Sequence, residues 1–397
     1  MRVGLVTPGF SASETDWCIP ALLDFVRTLA RDHDVYVLAL RYPSPASRYQ
    51  VHGATVETLG GGTRRRLSRL GLLAHAVLRL RRETRRRGLE VLHALWAHEP
   101  GAVVTRVGRD LGVPSVVSIL GGELVALPGA AYGGQLSWSN RYLTRTALEH
   151  ADAVTVGSSR LQSQARRYTD TAKISLAPLG VDTQRFSPDA TQGGPRLAGS
   201  PCLLCVASWV PVKDQATLLE ALALTASRGA LPNAHLHLVG SGPCEGDLRA
   251  LTDRLGLDSC VTFHGEVPHE RLPDYYRAAD VCVLSSLFES QAMVILEAAA
   301  CGRVTIGTRV GLLGELDELA ELELDEFELD EMDEAPAAVP PGDPAALAAL
   351  LTTTLRQPPW PQVRGRARLV SDYGLQPATD RFVSLYRRLL AHPRPGS

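Results

Sequence analysis

The stretch from Asp280 to Gly302, DVCVLSSLFESQAMVILEAAACG, admits few folds. Asp280 to Leu284 alternates valine, cysteine and leucine over a length that suits a buried strand. Ser285, Ser286 and Ser290 supply loop and N-cap chemistry. Met293 to Ala300 is apolar nearly all round, as in a helix packed deep against a sheet. Two carboxylates interrupt the run, Glu289 at the helix mouth and Glu297 inside it. Their 8-residue separation spans about 12 Å of helix, beyond the roughly 5–9.5 Å of a glycosidase acid/base pair. The spacing suits holding two ends of one elongated ligand, with its anion at the helix N-terminus. The alternative is one capping acid and one satisfied core acid.

The same strand–loop–helix reading recurs from the start of the chain. Arg2 to Thr7 predicts a strand, Pro8-Gly9-Phe10 a loop, and Trp17 to Ala30 a helix, the opening of a dinucleotide-fold half. The loop lacks G-x-G-x-x-G, which argues against NAD. Val35 to Leu40 predicts a second strand, with Asp32-His33-Asp34 as the turn before it. Further strands are expected at Val91–Leu95, ending in Trp96-Ala97-His98-Glu99, and at Pro114–Leu120, ending in Gly121-Gly122-Glu123. Ligands of such sheets bind outside the carboxyl ends of strands, so Gly9, His98, Gly121, Gly122 and Glu123 are site candidates. A lone histidine after a strand also has a structural reading. In the second half, Cys202–Ala207, His235–Val239 and Val261–Phe263 read as strands. Gly240 and Gly242 follow the middle one and either let backbone amides approach a ligand or simply make the turn.

Composition narrows the class. The 397 residues suffice for two domains, and no run of apolar residues is long enough to span a bilayer. MRVGLVTPGF lacks the apolar region of a signal peptide, and the seven cysteines sit mostly in apolar runs, so a cytoplasmic location with reduced thiols is expected. Cys202 and Cys205 have no second CxxC to complete a zinc site, and no metal is implied. The net charge of −2 hides a split: residues 1–190 carry 24 Lys+Arg against 16 Asp+Glu, a balance of +8, which leaves −10 for the remainder. Thr63 to Gly88 holds ten arginines and one glutamate, with Leu67, Leu70, Leu73, Ala74, Val77, Leu78 and Leu80 at helical spacing. This reads as a basic amphipathic helix or helix pair facing an anionic membrane, or as an arginine-coated helix packed on the sheet. No aromatic platform or recognition motif accompanies it, so nucleic acid is not expected. Glu315 to Glu334, with 12 acids in 20 residues, reads as a solvated helix or loop. Ser187 to Ser200 reads as the interdomain linker.

The wording of the central stretch, Glu289-Ser290-Gln291-Ala292-Met293-Val294-Ile295-Leu296-Glu297-Ala298-Ala299-Ala300-Cys301-Gly302, resembles the E-x7-E signature of retaining, GT-B-fold glycosyltransferases of the family 4 type. The resemblance covers nearly the whole chain and extends to Leu179-Gly180-Val181-Asp182 with Phe186, and to the G-S-G-P turn at Gly240. It implies two Rossmann-like domains facing a cleft: 1–190 on the acceptor side, 191–372 on the donor side, and a last helix in 373–397 crossing back to the first. It implies that Glu289 faces the donor sugar, that Glu297 holds the ribose and that Lys213 contacts the diphosphate. It places Gly265 and Val267 beside the nucleobase, with Ser290, Gln291, Ala292 and Met293 in the donor loop. Leu120 and Ser208 stand where relatives carry histidine and arginine. The implied function is transfer of a sugar from a nucleotide donor, without cofactor, to an acceptor that the sequence does not name, lipid-linked or a glycoconjugate precursor. The alternatives are a nucleotide-sugar epimerase of the same fold and a non-catalytic nucleotide-sugar-binding or membrane-surface protein. A peripheral position on the inner membrane face goes with the basic helix.

Overall fold

A computed structural model describes residues 1–61, 69–189, 194–315, 338–356, 358 and 371–392. The expectations for 63–68, for the acidic tract beyond Glu315, for 190–193 of the linker and for a helix at 361–370 lie outside the described residues.

The chain divides into two compact units, Met1–Gly180 with Tyr373–Ser397, and Val181–Asp372. The first runs β1 (Arg2–Gly9), α1 (Pro20–Leu29), β2 (Asp34–Tyr42), β3 (Ser47–Val51), β4 (Ala54–Thr58), α2 (Arg69–Arg87), β5 (Val91–Leu95), α3 (Glu99–Leu111), β6 (Ser115–Ile119), α4 (Trp138–His150), β7 (Ala153–Val156), α5 (Ser159–Ala165) and β8 (Ile174–Leu176). The second runs β9 (Cys202–Val206), α6 (Gln215–Ser227), β10 (His235–Val239), α7 (Glu245–Arg254), β11 (Val261–Gly265), α8 (Leu272–Ala278), β12 (Val281–Leu284), α9 (Met293–Ala300), β13 (Val304–Thr308), β14 (Ala338–Val339) and α10 (Pro344–Thr354). The last helix, α11 (Leu375–Ala391), belongs to the first unit.

The first sheet has the order β3-β4-β2-β1-β5-β6-β7-β8, parallel except for the β3–β4 hairpin. The hairpin turns on His52 and Gly53, both at positive φ, as a two-residue connection between twisted strands requires. The second sheet has the order β11-β10-β9-β12-β13-β14 and is parallel throughout. Its first strand sits in the middle and the order reverses between β9 and β12, the doubly wound arrangement. Inner strands such as β5, β6 and β12 are buried at every position, which explains why apolar residues dominate them, with His93, Ser115 and Ser118 as the exceptions.

Two expectations need correction. The first helix begins at Pro20, not Trp17: proline occupies the opening turn, and the residues before it form bends, with Asp16 accepting from the Ala12 amide at 2.6 Å. In α2 the buried stripe is Leu72, Ala76, Leu80, Glu83 and Thr84, whereas Leu70 and Leu78 point to solvent. The helix therefore has an inner apolar face and a separate outer one.

The last helix is fixed in the first unit by a buried polar junction. The His93 ring, on β5, lies 2.6 Å from the Tyr386 hydroxyl of α11 through Nδ1 and 2.6 Å from Ser118 Oγ through Nε2. Phe25 of α1 and Phe382 of α11 pack on one another at 4.9 Å and enclose the ring. Burial drops the His93 pKa to about 3. Unfolded, the same imidazole takes a proton near pH 6.5. Between those values the unfolded chain binds the extra proton, so this residue stabilises the fold at neutral pH and that stability falls as pH drops below about 6.5. His93→Gln should lower the slope of unfolding free energy against pH by up to about 1.4 kcal/mol per unit across that window. Urea titrations of both proteins that give equal slopes would contradict this.

Candidate functional site

In the second unit the loops that follow β9, β10, β11 and β12 all leave the same edge of the sheet. After β9 the chain passes buried Trp209 and a short 3-10 turn, Pro211–Lys213, before Asp214 caps α6. After β12 it passes Ser285, Ser286 and Glu289 before α9. Leu287 N donates to Val212 O at 2.8 Å, and Ser285 Oγ donates to Lys213 O at 2.9 Å, so the two loops are stitched side by side. Lys213 Nζ then meets Glu289 Oε1 at 2.5 Å, and Ser286 Oγ donates to the same oxygen at 2.7 Å. Two residues 76 positions apart thus share one point where the strand order reverses.

Glu297 lies in the first half of α9's buried face and is not a lone acid. Tyr276 OH of α8 donates to Oε2 at 2.8 Å, and His269 Nε2 lies 3.4 Å from Oε1. Arg185 Nη1 is 3.3 Å from His269 Nδ1. A guanidinium only donates, so Nδ1 is the acceptor and Nε2 carries the proton toward Glu297. Phe186 packs edge-on against both His269 and Tyr276. Burial, followed by the charge of Glu297, pushes the Tyr276 hydroxyl well above its ordinary range, so it stays a donor.

The loop after β10 requires its glycines. A Cβ on Gly240 would stand 2.0 Å from Ala207 O, and one on Gly242 would stand 2.4 Å from Trp209 O. Gly240 N donates to Gly265 O at 2.8 Å, which places the Gly265–Val267 loop next in line. Ahead of α9, Ala292 adopts φ 68°, left-handed backbone that costs roughly 1–2 kcal/mol in a residue with a Cβ. Ala292 has no side-chain oxygen to cap the amides of Met293 and the residues after it. Ser290 and Gln291 complete the loop, and Gln291 O accepts from Leu312 N at 3.0 Å.

The first unit gathers its candidates at the corresponding edge of its own sheet. Gly9 ends β1, and Phe10 N donates to Tyr42 O at 3.1 Å. His98 caps α3 by accepting from Glu99 N at 2.9 Å through Nδ1, which leaves the proton on Nε2. Glu123 is a buried clasp: its carboxylate accepts from the amides of Ala97, Leu120 and Gly121 at 3.2, 3.2 and 2.7 Å. Burial raises its pKa against the pull of those amides. Gly121 and Gly122 lie against the Trp96 and Tyr132 rings, where a Cβ would come within 2.9 and 2.5 Å.

Sequence reasoning passed over several partners. Glu99, at the start of α3, receives Arg41 from the end of β2 and Arg69 from the start of α2, each as close as 2.7 Å. Arg69 continues to Ser139 at 2.7 Å and Asn140 at 2.5 Å on α4. Burial alone would raise the Glu99 carboxyl, but Arg41 and Arg69 outweigh it and hold it below the usual carboxylate range. Tyr276 and His269 were likewise missed as partners of Glu297. Among the described residues no group of three or more His, Cys, Asp or Glu is placed to hold a metal ion.

Comparison with known proteins bears on the family and the fold. A family model described as Glycosyltransferase Family 4 matches residues 21–185, and one described as Glycosyl transferases group 1 matches 200–357. A GDP-mannose-dependent alpha-(1-6)-phosphatidylinositol monomannoside mannosyltransferase of Mycolicibacterium smegmatis is 29% identical over 55% of this chain and 59% of its own length. The chain thus spans little more than half the length of that curated relative. A D-inositol 3-phosphate glycosyltransferase of Acidothermus cellulolyticus is 29% identical over 78% of this chain and 75% of its own. The structure of sucrose-phosphate synthase from Thermosynechococcus elongatus superposes with a TM-score of 0.78 at 23% identity, covering 98% of this chain and all of that one. HepE of Anabaena in complex with UDP and glucose gives 0.70 at 16% identity, covering 98% of this chain and 100% of that one. Both structures share the GT-B fold with these two Rossmann-like sheets, and the chain belongs to the family 4, or group 1, glycosyltransferases.

Proposed function

We propose that this chain transfers a sugar from a nucleotide-sugar donor to an acceptor hydroxyl with retention at the anomeric carbon. The observation that carries the reading is the Lys213–Glu289 pair, held at 2.5 Å where the strand order of the second sheet reverses. Sheets of this kind bind their ligands there. The acceptor oxygen forms a bond to the anomeric carbon on the face from which the diphosphate departs, and its proton passes to the departing phosphate oxygen. Negative charge grows on the diphosphate as that bond breaks. The Lys213 ammonium and the first amides of α9 oppose it. Glu289 faces the sugar and keeps Lys213 oriented. Glu297 accepts ribose hydroxyls; a carboxylate has about four acceptor positions, so it serves Tyr276 and His269 and still has room for a ligand. Gly240 and Gly242 bring amides to the donor, Gly265 and Val267 border its base, and Ser290, Gln291, Ala292 and Met293 line its phosphate side.

The acceptor falls to the first unit, at Gly9, His98, Gly121 and Gly122, with Glu123 shaping the loops rather than contacting the ligand. The reading extends to an acceptor carried on a lipid, as in the mannosyltransferase relative, and to contact of the 63–88 segment with an anionic membrane surface. Among the described residues no helix is long and apolar enough to cross a membrane.

Lys213→Ala should lower turnover about 10²- to 10³-fold, the usual cost of losing one donor to a developing oxyanion. Wild-type rates in that variant, assayed with the donor it hydrolyses or transfers, would remove Lys213 from the reaction. Turnover should also survive excess EDTA, because Lys213 and backbone amides supply the positive charge. Loss on chelation that manganese or magnesium restores would show that a metal does so instead.

Glu297→Gln keeps the volume and one oxygen for Tyr276, yet loses the charge-assisted bonds to ribose, each worth roughly 1.5–3 kcal/mol. Calorimetry should show nucleotide affinity at least about tenfold weaker with the fold intact. Unchanged affinity would limit Glu297 to a structural role.

A further inference from the structure

The helices α2, α3 and α4 lie side by side on one face of the first sheet, α3 in the middle. Their outer surface has a composition unlike the rest of the unit. On α2 the outward stripe reads Leu70, Ala74, Leu78, Arg82, with Arg85 and Arg86 beyond, at successive turns. Leu70 is 77% exposed and Leu78 63%, opposite the buried Leu72–Ala76–Leu80 stripe. On α4 the outward residues are Trp138 and Tyr142, 75% and 65% exposed, with Arg141 and Arg145 between and beyond them. On α3 they are Arg106 and Arg109. Arg69 bonds Ser139 and Asn140, so the starts of α2 and α4 are tied together and Leu70 and Trp138 share one end of the layer. That end is the one from which the loops bearing His98 and Gly121 emerge, since each helix starts where its strand finishes.

We infer that this three-helix face docks on an anionic lipid bilayer, with Trp138, Tyr142, Leu70 and Leu78 entering the headgroup region and the arginines engaging lipid phosphates. The inference rests on the lipid-linked acceptor proposed above and names the surface that brings the chain to it. Charge complementarity selects the occupant. The face presents arginines on all three helices; its exposed acids are Asp110, already paired with Arg81 and Arg106, and Glu149, paired with Arg145, while Glu83 of α2, which pairs with Arg86, and Glu99 of α3 are buried. The aromatic pair selects a bilayer over a nucleic acid: tryptophan and tyrosine prefer the interface between headgroup and acyl chain. Leu70 and Leu78 add apolar surface that water penalises and the acyl boundary accepts. Each basic residue near the surface adds about 1 kcal/mol, and salt weakens that part.

The test uses the full chain with phosphatidylglycerol-containing vesicles and with phosphatidylcholine vesicles alone, by co-sedimentation across a salt series. The wild type should sediment with the anionic vesicles at low salt, far less with the neutral ones, and be released as salt rises. Trp138→Ala/Tyr142→Ala and Leu70→Ser/Leu78→Ser should each weaken partitioning about tenfold or more. Far-UV circular dichroism and the urea midpoint of the first unit should stay at the wild-type values in both, which shows that the variants are folded, and nucleotide affinity by calorimetry should be unchanged. Protein that stays in the supernatant overturns the inference. So does sedimentation that both double variants leave unchanged, or tighter binding to duplex DNA than to the vesicles. Vesicle binding by a wild type that binds no nucleotide sinks the donor reading and leaves this face standing. Nucleotide binding without vesicle binding sinks the face alone.

Discussion

Parallel strands impose one consequence on this chain above all others: every strand must end at the same edge before the chain turns into a helix. Each turn there is a loop with its backbone amides and carbonyls only partly used by the sheet. In both sheets the first strand sits inside and the strand order reverses beside it, the position at which sheets of this kind bind their ligands. Lys213 and Glu289 occupy that position in the second unit, and Gly9 and the Trp96–Glu99 loop occupy it in the first. The strand order thus decides which residues, far apart in the chain, are gathered at one edge.

Three buried carboxylates show how differently such an edge can hold a charge. Glu123 accepts from three amides, yet burial still raises its pKa. Glu99 is matched by two guanidinium groups and is held ionised. Glu297 is held by a tyrosine hydroxyl and an imidazole N–H, with a guanidinium fixing the tautomer. The first joins two loops, the second joins β2 to the starts of α2 and α3, and the third is set against α8.

The strands were legible because inner strands of a parallel sheet are almost wholly apolar, as Cys202–Val206 is and as Val91–Leu95 is apart from His93. Glu289 and Glu297 drew attention through their spacing and Lys213 through the family resemblance, and the structure brings Lys213 and Glu289 together. The β3–β4 hairpin was not read, although His52-Gly53 between two short β runs is a hairpin signal. Helices α3 and α4 were missed because loop signals drew attention to the residues ahead of them. The inward face of α2 was misread because leucines occur on both sides of it, and spacing alone cannot say which row meets the sheet. The roles of Arg41, Arg69, Tyr276 and His269 depend on contacts between elements distant in sequence, which no local pattern encodes.

The His93–Tyr386 junction also bears on how the protein is made. The first unit is built from the two ends of the chain, whereas Val181–Asp372 is continuous. As the chain emerges from the ribosome, His93 and the faces of β5 and α1 wait for α11, which follows the whole second unit in the chain. The second unit has by then been delivered complete. Of the two units, the one begun first is therefore the later to be sealed, and its core stays open until the second unit has been made.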